Sequence, residues 1–230
     1  MIGLTLLLLV ILTLGIKTYI TEQIIPQFAL TDYANVEWPH YLKWSTVMGA
    51  IIGTTVTYHT SSVIMGLVFG IMAFFLALTA QVDMLMNRAP KQITTLAIIA
   101  GLVAGSVALA SGERAIINPL GFEGVFGVTM FSLLSFMGVI TLIFIGLLFG
   151  LRSIGFADVK VFWAVGLFIS WYLGYPNMLL IFILTNILLF GHLIMNRIIA
   201  FATKEGRRNI PVLPAFFVAT AITSIYVVSL

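Results

Sequence analysis

Eight apolar runs separated by short polar connections make up most of the chain. They cover about residues 2–20, 46–58, 61–80, 95–111, 125–150, 161–174, 178–196 and 211–230. In lipid every backbone N–H and C=O must find its partner within the protein, so long apolar runs are read as helices. One bilayer-spanning helix takes about 20 residues. Only 8% of the 230 residues are charged and 61% are hydrophobic, whereas a soluble domain is about a quarter charged. Nineteen formal charges do not cover a water-soluble surface of this size. The expected fold class is all-α, a polytopic transmembrane helical bundle of about eight spans. Residues 1–60 supply a first span, a short cytoplasmic segment and a partial span, and residues 61–230 form the main membrane domain. The run 46–58 is the shortest and holds Thr54, Thr55 and Thr57, which fits a partial span or a helix packed against others.

Charge sets the expected orientation. Met1-Ile2-Gly3-Leu4 carries no basic side chain, and the first positive charge, Lys17, follows the run. A secretory signal has its charge before the apolar core, so the first run is read as an uncleaved span with its N-terminus outside. Arg88, Lys91, Arg152, Lys160, Arg197, Lys204, Arg207 and Arg208 fall in the connections after the third, fifth and seventh runs. Basic residues concentrate on the cytoplasmic side, so these connections are expected there, with both termini outside. Segment 21–45, with Pro26 and Pro39, is then a cytoplasmic non-membrane stretch. The 11 basic residues form no patch for nucleic acid. The absence of cysteine excludes disulfides, cysteine–zinc sites and thiol catalysis.

Three Asp and five Glu can be weighed in turn. Glu22, Asp32 and Glu37 sit in the polar segment, Glu113 and Glu123 in an external connection, and Glu205 in a basic stretch. Asp83 and Asp158 remain, each at the cytoplasmic end of a span. Two carboxylates at one membrane depth can share a proton, because close like charges resist double ionisation. The ionised member then takes a proton from water while the protonated one polarises a carbonyl. Against this stands the plain alternative of two interfacial carboxylates paired to Arg88, Arg152 or Lys160.

Asp83-Met84-Leu85-Met86-Asn87-Arg88-Ala89-Pro90-Lys91-Gln92-Ile93-Thr94 resembles the first active-site motif of type IV prepilin peptidases: an Asp ending a span, a proline seven positions on, then a Thr. Gly155-Phe156-Ala157-Asp158-Val159-Lys160 is similar to that family's GxGD signature with its following Lys. Ile210-Pro211-Val212-Leu213-Pro214 resembles the proline pair opening its last span. The resemblance covers about residues 61–230. It implies an intramembrane aspartic endopeptidase of the cytoplasmic membrane that cleaves leaders from type IV pilin-like precursors. It further implies Asp83 and Asp158 as the catalytic pair, no metal and no cofactor. Gly155, Ala157, Lys160 and Pro90 are then the site-shaping residues. Gly155 is placed to turn the chain or admit a substrate backbone, and Lys160 to orient Asp158 or anchor its helix.

Two departures stand out. Ala157 occupies the signature's second glycine, and Ala resists backbone conformations and close approaches open to Gly. Lys91 replaces the usual Asn after Pro90. Many bacterial members carry a cysteine-containing cytoplasmic insert and also N-methylate the trimmed pilin. Segment 21–45 is short and lacks cysteine, so peptidase activity alone is expected. The rival functions are an ion-coupled transporter and an inactive pilus or secretion assembly factor. His192 and Asn196 share a face of the seventh run and suit an interhelical hydrogen bond better than a metal. Gly66 and Gly70, like Ala100 and Ala104, suit close helix packing. Trp38, Trp44, Trp163 and Trp171 lie near span ends, as in an interfacial belt.

Overall fold

A computed structural model describes residues 1–29, 31–86, 88–111, 160–161, 164–165, 168, 175–203 and 211–228. The fifth run, Asp158, Gly155, Ala157, Arg152, Trp163 and Trp171 lie outside the described residues. Among the described residues all regular structure is helical. Helix α1 (Ile2–Tyr19) runs on without a break through a π turn (Ile20–Ile24) and a 3-10 turn (Ile25–Phe28). A second 3-10 turn (Asp32–Asn35) leads to α2 (Trp38–Thr60), α3 (Val63–Met86) and α4 (Lys91–Ser111). Later in the chain come α5 (Tyr175–Thr203) and α6 (Leu213–Val228). Among the described residues two segments, Ile2–Phe28 and Val63–Met86, are long and apolar enough to cross a membrane.

Helix α3 is the axis of the molecule. Sixteen of its 24 residues are buried, and α1, α2, α4 and α6 all pack on it. Its hairpin with α2 turns at Ser61, whose φ of 56° is the left-handed conformation that ends many helices. The Ser62 hydroxyl then accepts the Met65 N–H at 3.1 Å and starts α3. The two helices approach backbone to backbone. Gly49 and Gly53 of α2 face Gly70 and Gly66 of α3, and a Cβ built on Gly53 would lie 2.5 Å from the Gly66 carbonyl oxygen. Gly66 and Gly70 therefore pack as expected, and Gly49 and Gly53 are the partners that the short reading of the second run overlooked.

Segment 21–45, expected as a non-membrane stretch, is largely helical: residues 20–28 extend the first helix, and residues 38–45 are the first two turns of α2. Ile20, Ile24 and Phe28 recur every fourth position and bury one stripe against Val36, Trp38, Leu42 and the α3 residues Leu78 and Val82. Pro39 sits in the first turn of α2, where a missing N–H costs nothing. Trp38 is a correction: only 3% exposed, it belongs to this cluster and not to an interfacial belt. Its ring stacks on Phe28 with centroids 5.2 Å apart, and its indole N–H donates to the Tyr33 carbonyl at 3.2 Å. Trp44 is exposed.

The outer faces invert the pattern of a helix in water. On α1, Leu4, Leu7, Ile11 and Leu14 are exposed, while Thr5, Leu9 and Thr13 are buried. On α6, Val218, Ile222 and Tyr226 are exposed, and Thr220, Thr223 and Ser224 are turned inward. On α1 the Thr13 hydroxyl is quenched by the Leu9 carbonyl four residues back, at 2.6 Å.

Candidate functional site

Asp83 lies in the last turn of α3, at the end where α1, α2 and α6 converge. It is 3% exposed and the one buried charged side chain among the described residues. An ionisable group so enclosed has to find a polar partner or remain neutral. The partner comes from 130 positions away: the Leu213 backbone N–H donates to Asp83 Oδ2 at 3.1 Å. Leu213 opens α6, so its N–H is one of the first-turn donors with no acceptor inside the helix. The adjacent Val212 N–H also approaches the carboxyl group. A buried carboxylate meeting the positive end of a helix is a favourable electrostatic pairing.

This contact joins the first and third of the sequence motifs. The stretch after Asp83 is equally ordered. Ala89 and Pro90 are buried, and the Pro90 carbonyl accepts the Thr94 N–H at 3.0 Å, so Pro90 opens α4. Thr94 is fully buried, and its hydroxyl donates to the Lys91 carbonyl at 2.9 Å. Lys91, in contrast, is exposed.

Arg88 goes elsewhere. Its guanidinium lies 3.8 Å from Asp32, and both side chains are about three-quarters exposed (76% and 77%). The interfacial pairing considered for Asp83 is thus taken by Asp32. Tyr33, beside this pair, has its phenol pushed above the ordinary value by burial. Arg88 opposes that shift, and the charges of Asp32 and Asp83 add to it. The hydroxyl therefore stays protonated at neutral pH, a neutral donor within electrostatic reach of Asp83. Gln81, two residues before Asp83, donates to the Ala77 carbonyl at 3.0 Å and the Ser45 hydroxyl at 3.1 Å, pinning α3 to α2. Sequence reasoning missed Leu213, Tyr33 and Gln81. A backbone donor has no side-chain signature, and the other two looked like ordinary loop and helix-end residues.

Beyond the second motif Lys160, Val161, Ala164, Val165 and Phe168 are helical, and the last four are buried. These four line a small apolar pocket with Met72, Phe75, Leu76 and Thr79 of α3 and Ala97 of α4. The chain just beyond the second motif therefore packs on α3. Val161, three positions past Asp158 in sequence, shares this pocket with Thr79, one turn before Asp83.

His192 is exposed on α5 and does not point into the bundle, and the Asn196 side chain is outside the described residues. His40 and His59 are exposed. Among the described residues no three His, Asp or Glu converge in a way that would hold a metal ion. Chemically, the site offers a carboxyl group in apolar surroundings, fixed by a backbone donor. No family model, no curated protein and no solved structure matches the chain.

Proposed function

We propose that the chain is an intramembrane aspartic endopeptidase that removes the leader from type IV pilin-like precursors, using Asp83 and Asp158 with water as the nucleophile. The observation that carries the reading is the Leu213–Asp83 hydrogen bond. It seats a buried carboxylate on the proline-flanked start of α6 and so brings two of the three motifs onto one point. A structural surface acid has no need of such a seat. The bundle crosses the cytoplasmic membrane about eight times, with the N-terminus outside and Asp83 near the cytoplasmic face.

The chemistry then follows from the pair. The ionised aspartate draws a proton from water, the protonated one hydrogen-bonds to the scissile carbonyl, and the oxygen of water adds to the carbonyl carbon. Collapse of the tetrahedral adduct returns a proton to the leaving nitrogen. A helical substrate hides that carbonyl in its own backbone ladder, so the precursor must unwind at the cut. Its apolar helix lies among the spans while the leader stays at the cytoplasmic side.

The test is co-expression with a pilin-like precursor. Asp83→Asn and Asp158→Asn should each lower processing by at least about 100-fold while the protein accumulates in the membrane at the wild-type level. Processing at the wild-type rate by either variant refutes the dyad. A transporter that binds a cation at these carboxylates would instead show charge-dependent uptake in proteoliposomes and leave the precursor intact.

A further inference from the structure

We infer that the backbone N–H of Leu213 is a positioning group for Asp83, so that the first turn of α6 belongs to the hydrolytic machinery and not only to its frame. The inference rests on the proteolytic reading above. An N–H can only donate, so the carboxyl oxygen that receives it must offer a lone pair. The bond falls on Oδ2 at 3.1 Å. A proton shared across an aspartate pair is therefore disfavoured on that oxygen, and favoured on Oδ1 or on the partner carboxyl. The carboxyl torsion of an aspartate is otherwise broad, close to two-fold, with either oxygen free to lead. Leu213 biases that choice toward Oδ1 as the reacting atom.

The local sequence favours this use of the donor. Pro211 and Pro214 carry no N–H, so Val212, Leu213 and Ala215 supply the free donors at the mouth of α6. The Val212 carbonyl accepts the Phe216 N–H at 3.2 Å, which puts Val212 at the cap and Leu213 at the first helical position. Leu213 is fully buried, as are Phe216 and Ala219 one and two turns further along α6. The donor is thus held on a helix packed against the helix that carries Asp83.

The first helical position is also the one where proline is best tolerated, so Leu213→Pro deletes the donor with little harm to α6. Leu213→Val keeps the N–H and matches proline in bulk. With full-length protein in proteoliposomes and a pilin-like precursor, Leu213→Pro should lower kcat about 10- to 100-fold. KM should stay within about 2-fold, since the donor acts on Asp83 and not on bound precursor. Leu213→Val should rescue kcat to near the wild-type value. If Leu213→Pro fails to accumulate, leucic acid at position 213 removes the same N–H as an ester and retains the leucyl side chain. The same loss of kcat is expected from it. Equal losses in the proline and valine variants would assign the effect to side-chain bulk, and an unchanged kcat in the proline or ester variant would remove the role; either overturns the inference. Failure of the wild-type protein to cleave any precursor strikes the proteolytic reading itself, and the positioning role falls with it. That result is distinguishable because it appears before any substitution is made.

Discussion

Asp32 and Asp83 are the same side chain in opposite circumstances, one in solvent and one enclosed by the bundle. Asp32 sits at the surface 3.8 Å from Arg88 with both side chains mostly in solvent, where screening and side-chain entropy leave an ion pair worth about 0–1 kcal/mol. Asp83 is enclosed and takes a backbone donor, an arrangement whose loss costs about 1.5–3 kcal/mol when the acceptor is charged. Arg88→Ala should therefore change unfolding stability by less than about 1 kcal/mol, read as the thermal midpoint in detergent, with precursor processing retained. A larger loss would mean that Arg88 supports Asp83 after all. At this scale Asp83 was legible because acids are so scarce: with six of eight assigned to connections, few candidates were left. Leu213 was not legible, because its contribution is an N–H common to every residue but proline. Trp38 was misread for a related reason: an indole near a helix end serves a lipid interface or a packing seam equally well, and only the Phe28 ring and the Tyr33 carbonyl decide.

Between elements, closeness is set by what is missing. The α2–α3 hairpin brings Gly49 and Gly53 onto Gly70 and Gly66, and Leu9 of α1 fills the hollow over them. Thr57 completes the junction by donating to the Thr5 hydroxyl at 3.0 Å. Small residues permit such approach where apolar burial gives no net drive between helices in lipid. A Cβ on Gly66 would meet the Thr57 hydroxyl and lie 2.8 Å from the Gly53 carbonyl oxygen, so backbone must move. Gly66→Ala should destabilise by about 1–3 kcal/mol. Gly15→Ala is the matched control: nothing lies within 4 Å of its Cβ, and replacing a mid-helix Gly stabilises by about 0.5–1 kcal/mol. Opposite signs for the two substitutions in thermal unfolding are expected, and a neutral Gly66→Ala would show that the helices are not in backbone contact. The α3 half of this seam was readable from its spacing. The α2 half was hidden because six hydroxyl residues and two prolines-worth of loop signal upstream made the run look short, although Ser45, Thr46, Thr54, Thr55 and Thr60 all return their hydroxyl hydrogens to their own helix.

At the scale of the whole molecule, polar groups face inward and large apolar ones outward, on helices far apart in sequence. Leu7 and Ile11 of α1, Leu102 and Val103 of α4, Ile187 and Phe190 of α5, and Ile222 of α6 are all exposed, while Thr5, Thr13, Thr94 and Thr185 are buried and hydrogen-bonded to backbone carbonyls. Water would penalise that surface; lipid is indifferent to it and penalises unpaired polar groups instead. Direction alternates as well. The start of α1, the end of α2 and the start of α3 meet at Thr5, Thr57 and Gly66, and the opposite ends meet at Ile24, Trp38 and Val82. The up-and-down order of the first helices was therefore legible from run lengths and basic connections, whereas the helical content of residues 20–45 was not, because prolines at helix starts read like prolines in loops. This alternation gives a sharp topological expectation. The chain has no cysteine, so single introduced thiols report without background. His59 lies at the end of α2 that meets the start of α1, and Asn35 and Lys91 flank the Asp83 end; all three are exposed. On intact cells, an impermeant maleimide should label His59→Cys and spare Asn35→Cys and Lys91→Cys until the membrane is opened. Labelling of Asn35→Cys or Lys91→Cys from outside would invert the bundle, put Asp83 on the wrong side for a leader presented from the cytoplasm, and so remove the proposed substrate even if the fold and the dyad survived.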